Sequence, residues 1–385
     1  MTRRRVLQIV ASSLGGGAEV LRCLVKGLDP REFESAVVMP DDGGHVGAAD
    51  FAELGVPLHR FQLAARFNWR EFLRLRRFVR GGRFDVIHVH GARAALWGRL
   101  AAIGPGRPHI VFGVHGLSIV HYTGLKRAIL VGLERVLRIV TDMTLCDSNV
   151  ERDDVLGWQL ATPERARVVW NGIDLDRLLT PPRNRSTARA HWAIGGDTPV
   201  IVTVCRLNKP RDFETLLAGM AEIVRARPDA QLLIVGNGPL RPEVEALIAR
   251  HHLAGRARLL DLVHDVGEVL AAADVAVLIT AGWEGLPLSA LEAMAAGLPM
   301  IISDVGGNRE AILHGQTGYV IAQRDVTAYA QAALELINNP DKARQMGAAG
   351  AARARQEFSL QTMAAQVAGI YRELCDGQQD TDSPR

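Results

Sequence analysis

The chain has 385 residues, 48% of them hydrophobic and 23% charged, with a formal net charge of +3. That length exceeds one ordinary hydrophobic core and suits two domains, and the apolar fraction excludes low-complexity disorder for all but the end of the chain. Cys23, Cys146, Cys205 and Cys375 are scattered without a C-x-x-C pair or metal-ligand spacing, which favours a reduced cytoplasmic setting over a disulfide scaffold. Charge is unevenly placed: 25 Lys and Arg stand against 19 Asp and Glu up to residue 180, and 20 against 23 beyond it. A basic first half points to an anionic partner there.

Arg5-Val-Leu-Gln-Ile-Val10 reads as a first strand. Its apolar run breaks at Ser12-Ser13-Leu-Gly15-Gly-Gly17, so a glycine turn into a helix is expected rather than a cleaved leader. No segment approaches the ~20 apolar residues of a membrane span. Further strands are expected at 35–39, 86–90, 110–114 and 143–146, and again at 199–204, 231–235, 258–260, 275–279 and 300–302. Helical signals alternate with them, which predicts an α/β fold: two doubly wound Rossmann-like domains with parallel sheets, facing each other across a cleft. The expected boundaries are a first domain over 1–177, a Pro-rich polar linker over 178–196 and a second domain over 197–358. A helix over 359–375, packing back toward the first domain, and a disordered tail over 376–385 complete the chain.

Ligands of such sheets sit beyond the carboxyl ends of the strands, so the loops there carry the chemistry. Gly15-Gly16-Gly17-Ala-Glu19 is not the dinucleotide fingerprint, since Val20 stands where a third spaced glycine is needed. It is either a plain strand-to-helix turn or a place where backbone closely approaches a ligand. The stretch from Arg66 to Arg80 is basic and partly amphipathic. Its apolar positions 69, 72, 73 and 79 fit a core-facing helix side, while its arginines could rest on anionic lipid headgroups. No aromatic–basic platform points to nucleic acid. His88 and His90 alternate on one strand, but no third ligand completes a metal site, and a structural role is expected. His115 sits on a glycine-flanked turn at a strand's carboxyl end, either as a satisfied buried histidine or as a ligand contact.

In the second half, Arg206, Lys209 and Arg211 leave a strand's carboxyl end, where two or three cations could clamp a diphosphate. The most informative run is Glu284-Gly-Leu-Pro-Leu-Ser-Ala-Leu-Glu292, followed by Ala-Met-Ala-Ala-Gly297. Pro287 suits a first helical turn, and the N–H groups of Leu288 and Ser289 then point out of the helix start as an anion site. Glu292, one turn further in, suits the paired hydroxyls of a ribose. Glu284, before the turn, can touch whatever the phosphate carries. A diphosphate flanked by two hydroxyl-rich ends describes a nucleotide sugar. Read without its context, the run is a helix cap and a packed helix ending at a C′ glycine.

The run from Glu284 to Glu292, with Ser303-Asp-Val-Gly-Gly307 and Gly315-Gln-Thr-Gly318 after it, resembles the signature of retaining glycosyltransferases of the GT-B fold, family 4. Gly15-Gly-Gly-Ala-Glu19, Asn171-Gly-Ile-Asp174 and Gly236-Asn-Gly-Pro239 are similar to other stretches of that family. The resemblance implies an acceptor-binding first domain, a nucleotide-sugar-binding second domain, and a donor met by Gly16, Gly17, His115, Gly236, Glu284 and Glu292. It also implies Arg206 with Arg211 on the diphosphate, with Lys209 able to share that role. The chain departs from the family twice, with Arg211 for Lys and Asp212 for Gly. The implied activity is retaining transfer from a UDP- or GDP-linked sugar to a glycan or polyisoprenyl-diphosphate-linked acceptor, without metal or other cofactor and without nucleic acid. Peripheral contact of a cytoplasmic enzyme with anionic membrane is a further expectation. A nucleotide-sugar epimerase of the same architecture and a non-catalytic sugar-nucleotide-binding protein are the alternatives.

Overall fold

The computed structural model describes residues 3–63, 68–180, 184–263 and 265–377. Arg66, Pro181, Pro182 and the tail beyond 377 lie outside the described residues. The chain forms two compact units, Met1–Gly172 with Leu360–Arg385, and Ile173–Ser359.

The first unit is built on β1 (Arg4–Val10), β2 (Phe33–Met39), β3 (Leu58–Arg60), β4 (Val86–His90), β5 (His109–Gly113), β6 (Met143–Cys146) and β7 (Ala166–Val168). These lie in the order β3-β2-β1-β4-β5-β6-β7, with every pairing parallel. The second unit is built on β8 (Val200–Val204), β9 (Gln231–Val235), β10 (Ala257–Leu260), β11 (Val275–Leu278), β12 (Met300–Ser303) and β13 (Gly318–Ile321). Their order is β10-β9-β8-β11-β12-β13, again all parallel. Central strands covered by helices on both faces read as unbroken apolar runs, and Val6, Leu7, Ile9, Val202, Leu232 and Ile301 are sealed from solvent accordingly. Strand order reverses between β1 and β4 in one unit and between β8 and β11 in the other. The loops leaving those strands diverge, and the crevice between them is where a doubly wound sheet takes its ligand.

Three edge strands, β3, β7 and β13, carry no sequence signal of their own, because three or four residues give too little pattern to read. The stretch expected as a linker is a second difference. It carries the helix Arg185–His191, and Arg189 there is buried. The Arg189 guanidinium donates to the carbonyls of Ala272 (3.1 Å) and Gly195 (2.8 Å) and to the Asp274 carboxylate (2.9 Å). Asp274 also accepts the Val200 N–H (2.8 Å), so it fastens this polar segment to the start of β8. Asn184, Arg185, Ser186 and Thr187 are exposed, so Arg189 is the buried exception in a polar stretch, and the chain changes unit at Gly172–Ile173.

The helix Leu360–Asp376 belongs to the first unit and packs on the helix Gly16–Gly27. Gly27 makes the approach possible: a Cβ there would stand 2.6 Å from the Ala364 Cβ and 3.0 Å from the Leu360 carbonyl oxygen. Tyr371 is fully buried, and its hydroxyl meets the Gln8 amide (3.1 Å) and the His88 ring (2.7 Å). Gly27→Val should therefore push the two helices apart and destabilise the first unit by about 1–3 kcal/mol, the usual range for overpacking. Urea unfolding followed by tryptophan fluorescence measures this; an unchanged midpoint would mean that the helix pair is not closely packed.

Candidate active site

In the second unit the site is assembled at the carboxyl ends of the neighbouring strands β8 and β11. Arg206 and Lys209 leave β8 exposed and hold no hydrogen-bond or ion-pair partner among the described residues. The loop that presents them depends on two glycines. A Cβ on Gly236, whose φ is +142°, would stand 1.9 Å from the Cys205 carbonyl oxygen, and one on Gly238 would stand 2.4 Å from the Leu207 carbonyl oxygen. The turn after β9 thus rests directly on the backbone of residues 205–207, and the Leu207 N–H donates to the Asn237 carbonyl (3.0 Å). These glycines have a packing reason of their own.

Arg211 behaves differently from its neighbours. Its guanidinium is turned inward, donating to Thr280 Oγ1 (2.7 Å) and to Glu284 Oε1 (2.6 Å), with both side chains of the ion pair largely shielded from water. Burial opposes the charge on Arg211, but the Glu284 carboxylate beside it holds the guanidinium above its usual range. Its Nε–H is buried without a partner. Two residues that the sequence assigns to separate jobs are therefore one unit in space, and Thr280, which sequence reasoning missed, is their third member. The Asp212 departure also has a physical account. Asp212 caps the helix Phe213–Ala226, accepting from the Thr215 N–H (3.1 Å) and hydroxyl (2.7 Å). Glycine would leave that cap unmade.

Glu284 itself is held by backbone. The Gly307 N–H donates to its carbonyl (3.1 Å), and Gly306, at φ +47°, lies so close that a Cβ would stand 1.8 Å from that oxygen. The helix that follows spans Leu288–Ala295, with Pro287 at the N-cap and not inside the first turn as the sequence suggests. The N-cap makes no side-chain hydrogen bond, so the N–H groups of Leu288 and Ser289 are left to water or an anion. Glu292, half-buried, stands one turn along. The helix ends in a Schellman motif: Gly297 adopts φ +79°, the Leu298 N–H donates to the Ala293 carbonyl (3.0 Å), and the Gly297 N–H donates to the Met294 carbonyl (2.9 Å).

In the first unit, the helix starting at Gly16 meets the turn after β5. A Cβ on Gly17 would lie 3.9 Å from the His115 ring. His115 takes φ +49°, uncommon for a residue with a side chain, and is held there by two contacts. Its Nδ1 faces Asp147 (3.1 Å), and its Nε2 faces His90 Nδ1 (2.8 Å). The next residue, Gly116, donates its N–H to Glu151 (2.9 Å). Both ring nitrogens of His115 are thus occupied, and a ligand reaching the ring must displace one of these partners. His90 continues through Nε2 to Gln8 (2.8 Å), and Gln8 to Tyr371. Burial, then the Asp147 charge, pushes the Glu151 carboxyl well above the usual carboxylate range. Asp147, Glu151, Gln8 and Tyr371 carry no motif, and only Asp147, directly after β6, could have been suggested by its place at a strand end. Among the described residues, no group of three or more His, Cys, Asp or Glu is placed to hold a metal ion. In the helix Trp69–Gly81, Phe72, Leu75 and Val79 face the core, whereas Trp69 is 61% exposed.

Comparison with known proteins places both halves of the chain among glycosyltransferases. Residues 14–177 match the family described as Glycosyltransferase Family 4, and residues 198–339 match Glycosyl transferases group 1. The chain is 30% identical over 310 residues to alpha-maltose-1-phosphate synthase of Mycolicibacterium smegmatis, covering 75% of this chain and 79% of that protein. It is 26% identical over 278 residues to the UDP-Gal:alpha-D-GlcNAc-diphosphoundecaprenol alpha-1,3-galactosyltransferase of Escherichia coli, covering 71% of each. Among solved structures it superposes on Anabaena HepE in complex with UDP and glucose with a TM-score of 0.82 at 20% identity, covering 96% of this chain and 99% of that one. That likeness establishes the GT-B fold.

The buried histidines make the first unit sensitive to acid. Burial pushes His88 down to about 3, with the charge of His115 adding to it, and burial likewise carries His90 well below its ordinary value. A depressed base contributes stability that is present above the unfolded value near 6.5 and is lost as pH falls toward the folded value. Each such histidine should remove up to about 1.4 kcal/mol per pH unit below 6.5. Glu151, raised in the folded state, acts in the opposite sense, so the informative quantity is a difference. The stability of the wild type relative to His88→Asn should drop by about 1 kcal/mol between pH 6.5 and 5.5. Urea titrations at those two pH values test it, and parallel pH profiles would show His88 protonated in the native state.

Proposed function

The chain belongs to glycosyltransferase family 4, and from that premise we propose that it moves a hexosyl-type sugar from a UDP- or GDP-linked donor to a glycan or polyisoprenyl-diphosphate-linked acceptor. Transfer retains the anomeric configuration and uses neither metal nor other cofactor. The observation that carries the reading is the pairing at one switch point of two partnerless cations, Arg206 and Lys209, with the uncapped helix start at Leu288 and Ser289 on the neighbouring strand's loop. Fixed positive charge and open N–H groups suit a diphosphate. Glu292 then takes the ribose and Glu284 the sugar hydroxyls. Gly236 shapes the loop that presents Arg206. In the first unit, Gly16, Gly17 and His115 form the ligand-facing end of the sheet.

Catalysis on this reading is positioning plus stabilisation of charge growing on the departing diphosphate, with attack from the face the diphosphate leaves. Arg211 acts by orienting Glu284, since one guanidinium nitrogen is already committed to it and the group is turned inward. Two relatives support the donor and acceptor classes: the Escherichia coli enzyme is named for UDP-galactose and a diphosphoundecaprenol acceptor, and HepE has been solved with UDP-glucose. The partition of roles, acceptor on the first unit and nucleotide on the second, accords with the basic excess of the first half.

Two measurements test this, both made in buffer containing a chelator. Arg206→Ala combined with Lys209→Ala should weaken nucleoside diphosphate binding by roughly a hundredfold or more, since two charge-assisted hydrogen bonds are lost, each worth roughly 1.5–3 kcal/mol. Unchanged calorimetric affinity would move the phosphate site elsewhere. Glu284→Gln should lower kcat on the order of a hundredfold while leaving donor affinity within a few-fold. NMR of the product should show the donor's anomeric configuration. An inverted product, or activity abolished by the chelator, would overturn the proposed chemistry.

A further inference from the structure

The helix Gly124–Leu137 faces solvent with the wrong side. Its inward face is conventional: Val131, Glu134 and Leu137 are buried. Glu134 makes a two-pronged contact with the buried Arg99 guanidinium at 2.8 and 2.7 Å, and Arg99 also lies over the Phe112 ring at 4.6 Å. This anchor fixes the helix's rotation about its axis. The outward face is then made of Leu125, Ile129, Leu133 and Val136, with Ile139 in the short turn that follows. Their exposures are 77%, 60%, 37%, 63% and 72%. The spacing i, i+4, i+8 and i+11 puts the four helix residues on one stripe, with exposed Ala128 and Gly132 between them. A soluble surface helix places charge there; this one is apolar on both sides.

The charges that border the stripe are all of one sign. Between Leu117 and Thr141 the chain carries Lys126, Arg127, Arg135 and Arg138, and its one acid, Glu134, is buried and neutralised by Arg99. On a 100° wheel Lys126 and Arg135 fall on the two flanks of the stripe, while Arg135 and Arg138 are steadied by the carbonyls of Trp158 (3.0 Å) and Gln159 (2.8 Å). An apolar stripe between two cationic margins matches the boundary of a membrane, where acyl chains lie beneath anionic headgroups. At 14 residues the helix is about 21 Å long and suits lying in that boundary. No helix among the described residues is long and apolar enough to cross a membrane. A second copy of this chain fits less well, because a two-fold contact through the same stripe would set these cations against their own equivalents.

We infer that the helix Gly124–Leu137 is the surface by which this protein docks on anionic bilayers, its apolar stripe entering the headgroup boundary and Lys126 and Arg135 engaging the headgroups. This replaces the arginines of the helix Trp69–Gly81 as the principal lipid contact. It adds a place of action to the glycosyl transfer and does not rest on it, since lipid binding is read with no donor present.

The experiment is flotation of the full chain with vesicles of pure phosphatidylcholine or of phosphatidylcholine with phosphatidylglycerol, at low and high salt. The wild type should float at least tenfold better with the anionic vesicles, and high salt should reduce that recovery. Ile129→Glu with Val136→Glu should lower recovery at least tenfold with an unchanged melting temperature and unchanged nucleoside diphosphate affinity, because both side chains are exposed. Lys126→Gln with Arg135→Gln should remove most of the salt dependence. Equal recovery of wild type and the Ile129/Val136 variant overturns the inference. So does loss of binding only in an Arg77→Glu, Arg80→Glu variant, or a wild-type dimer in sedimentation that the Ile129/Val136 variant abolishes.

Discussion

A run of buried polar side chains holds the first unit together from strand to strand. It passes from Asp147 through His115, His90 and Gln8 to Tyr371 and ends on His88, crossing β6, β5, β4, β1 and the last helix. His88, His90 and Gln8 are within a few per cent of full burial, so each donor must find an acceptor or bear the penalty of an unmet group. The Gln8 amide bridges the row, its oxygen facing the His90 ring and its nitrogen donating to the Tyr371 hydroxyl, while His88 Nε2 at the far end is buried without a partner.

The second unit solves a similar problem with glycine. Gly236, Gly238, Gly306 and Gly318 each lie against a neighbouring carbonyl at a distance no Cβ tolerates. Those contacts fasten the loop after β9 to the loop after β8, the loop after β12 to the loop after β11, and β13 to β12, all through backbone, which leaves the side chains of Arg206 and Lys209 unencumbered. The Arg211–Glu284 pair shows the complementary strategy: a carboxylate on the loop after β11 is oriented by a cation that is itself sunk in the protein. Isolated, either charge would be expensive to bury; the pair and Thr280 offset part of that cost, with the Arg211 Nε–H left unmet.

Much of this was legible from residues alone. The central strands of both sheets, the helix after Pro287 and its glycine terminus follow from apolar runs and local backbone chemistry, which are encoded within a few residues. The edge strands were not, because β3 and β7 are too short to have a period. The stretch 178–196 misled because its arginines and asparagine look solvated, whereas Arg189 is buried through a partner, Asp274, some 85 positions away. The same distance problem hid the Arg211–Glu284 pair and the row from Asp147 to His88. A sequence shows that a residue can bond; it does not show that the bond is already taken. The outward apolar stripe of Gly124–Leu137 was hidden for a related reason. Its hydrophobic positions look like an ordinary core face until the inward side is seen to be occupied by Val131, Glu134 and Leu137.

The first unit is discontinuous: its sheet comes from residues up to Gly172, but the helix carrying Tyr371 arrives only after the whole second unit. On a ribosome, β1 and β4 are therefore made long before the side chain that completes their polar row. Until Tyr371 has emerged, 281 positions after the end of β4 at His90 (371 − 90), Gln8 and His88 lack their hydroxyl partner and the helix Gly16–Gly27 lacks its cover. The second unit, contiguous from Ile173 to Ser359, has all its strands in hand before the chain ends. Synthesis order and assembly order are thus inverted in this protein, with the part made first finished last. Loss of a dozen residues from the C-terminal helix would be felt at the opposite end of the chain.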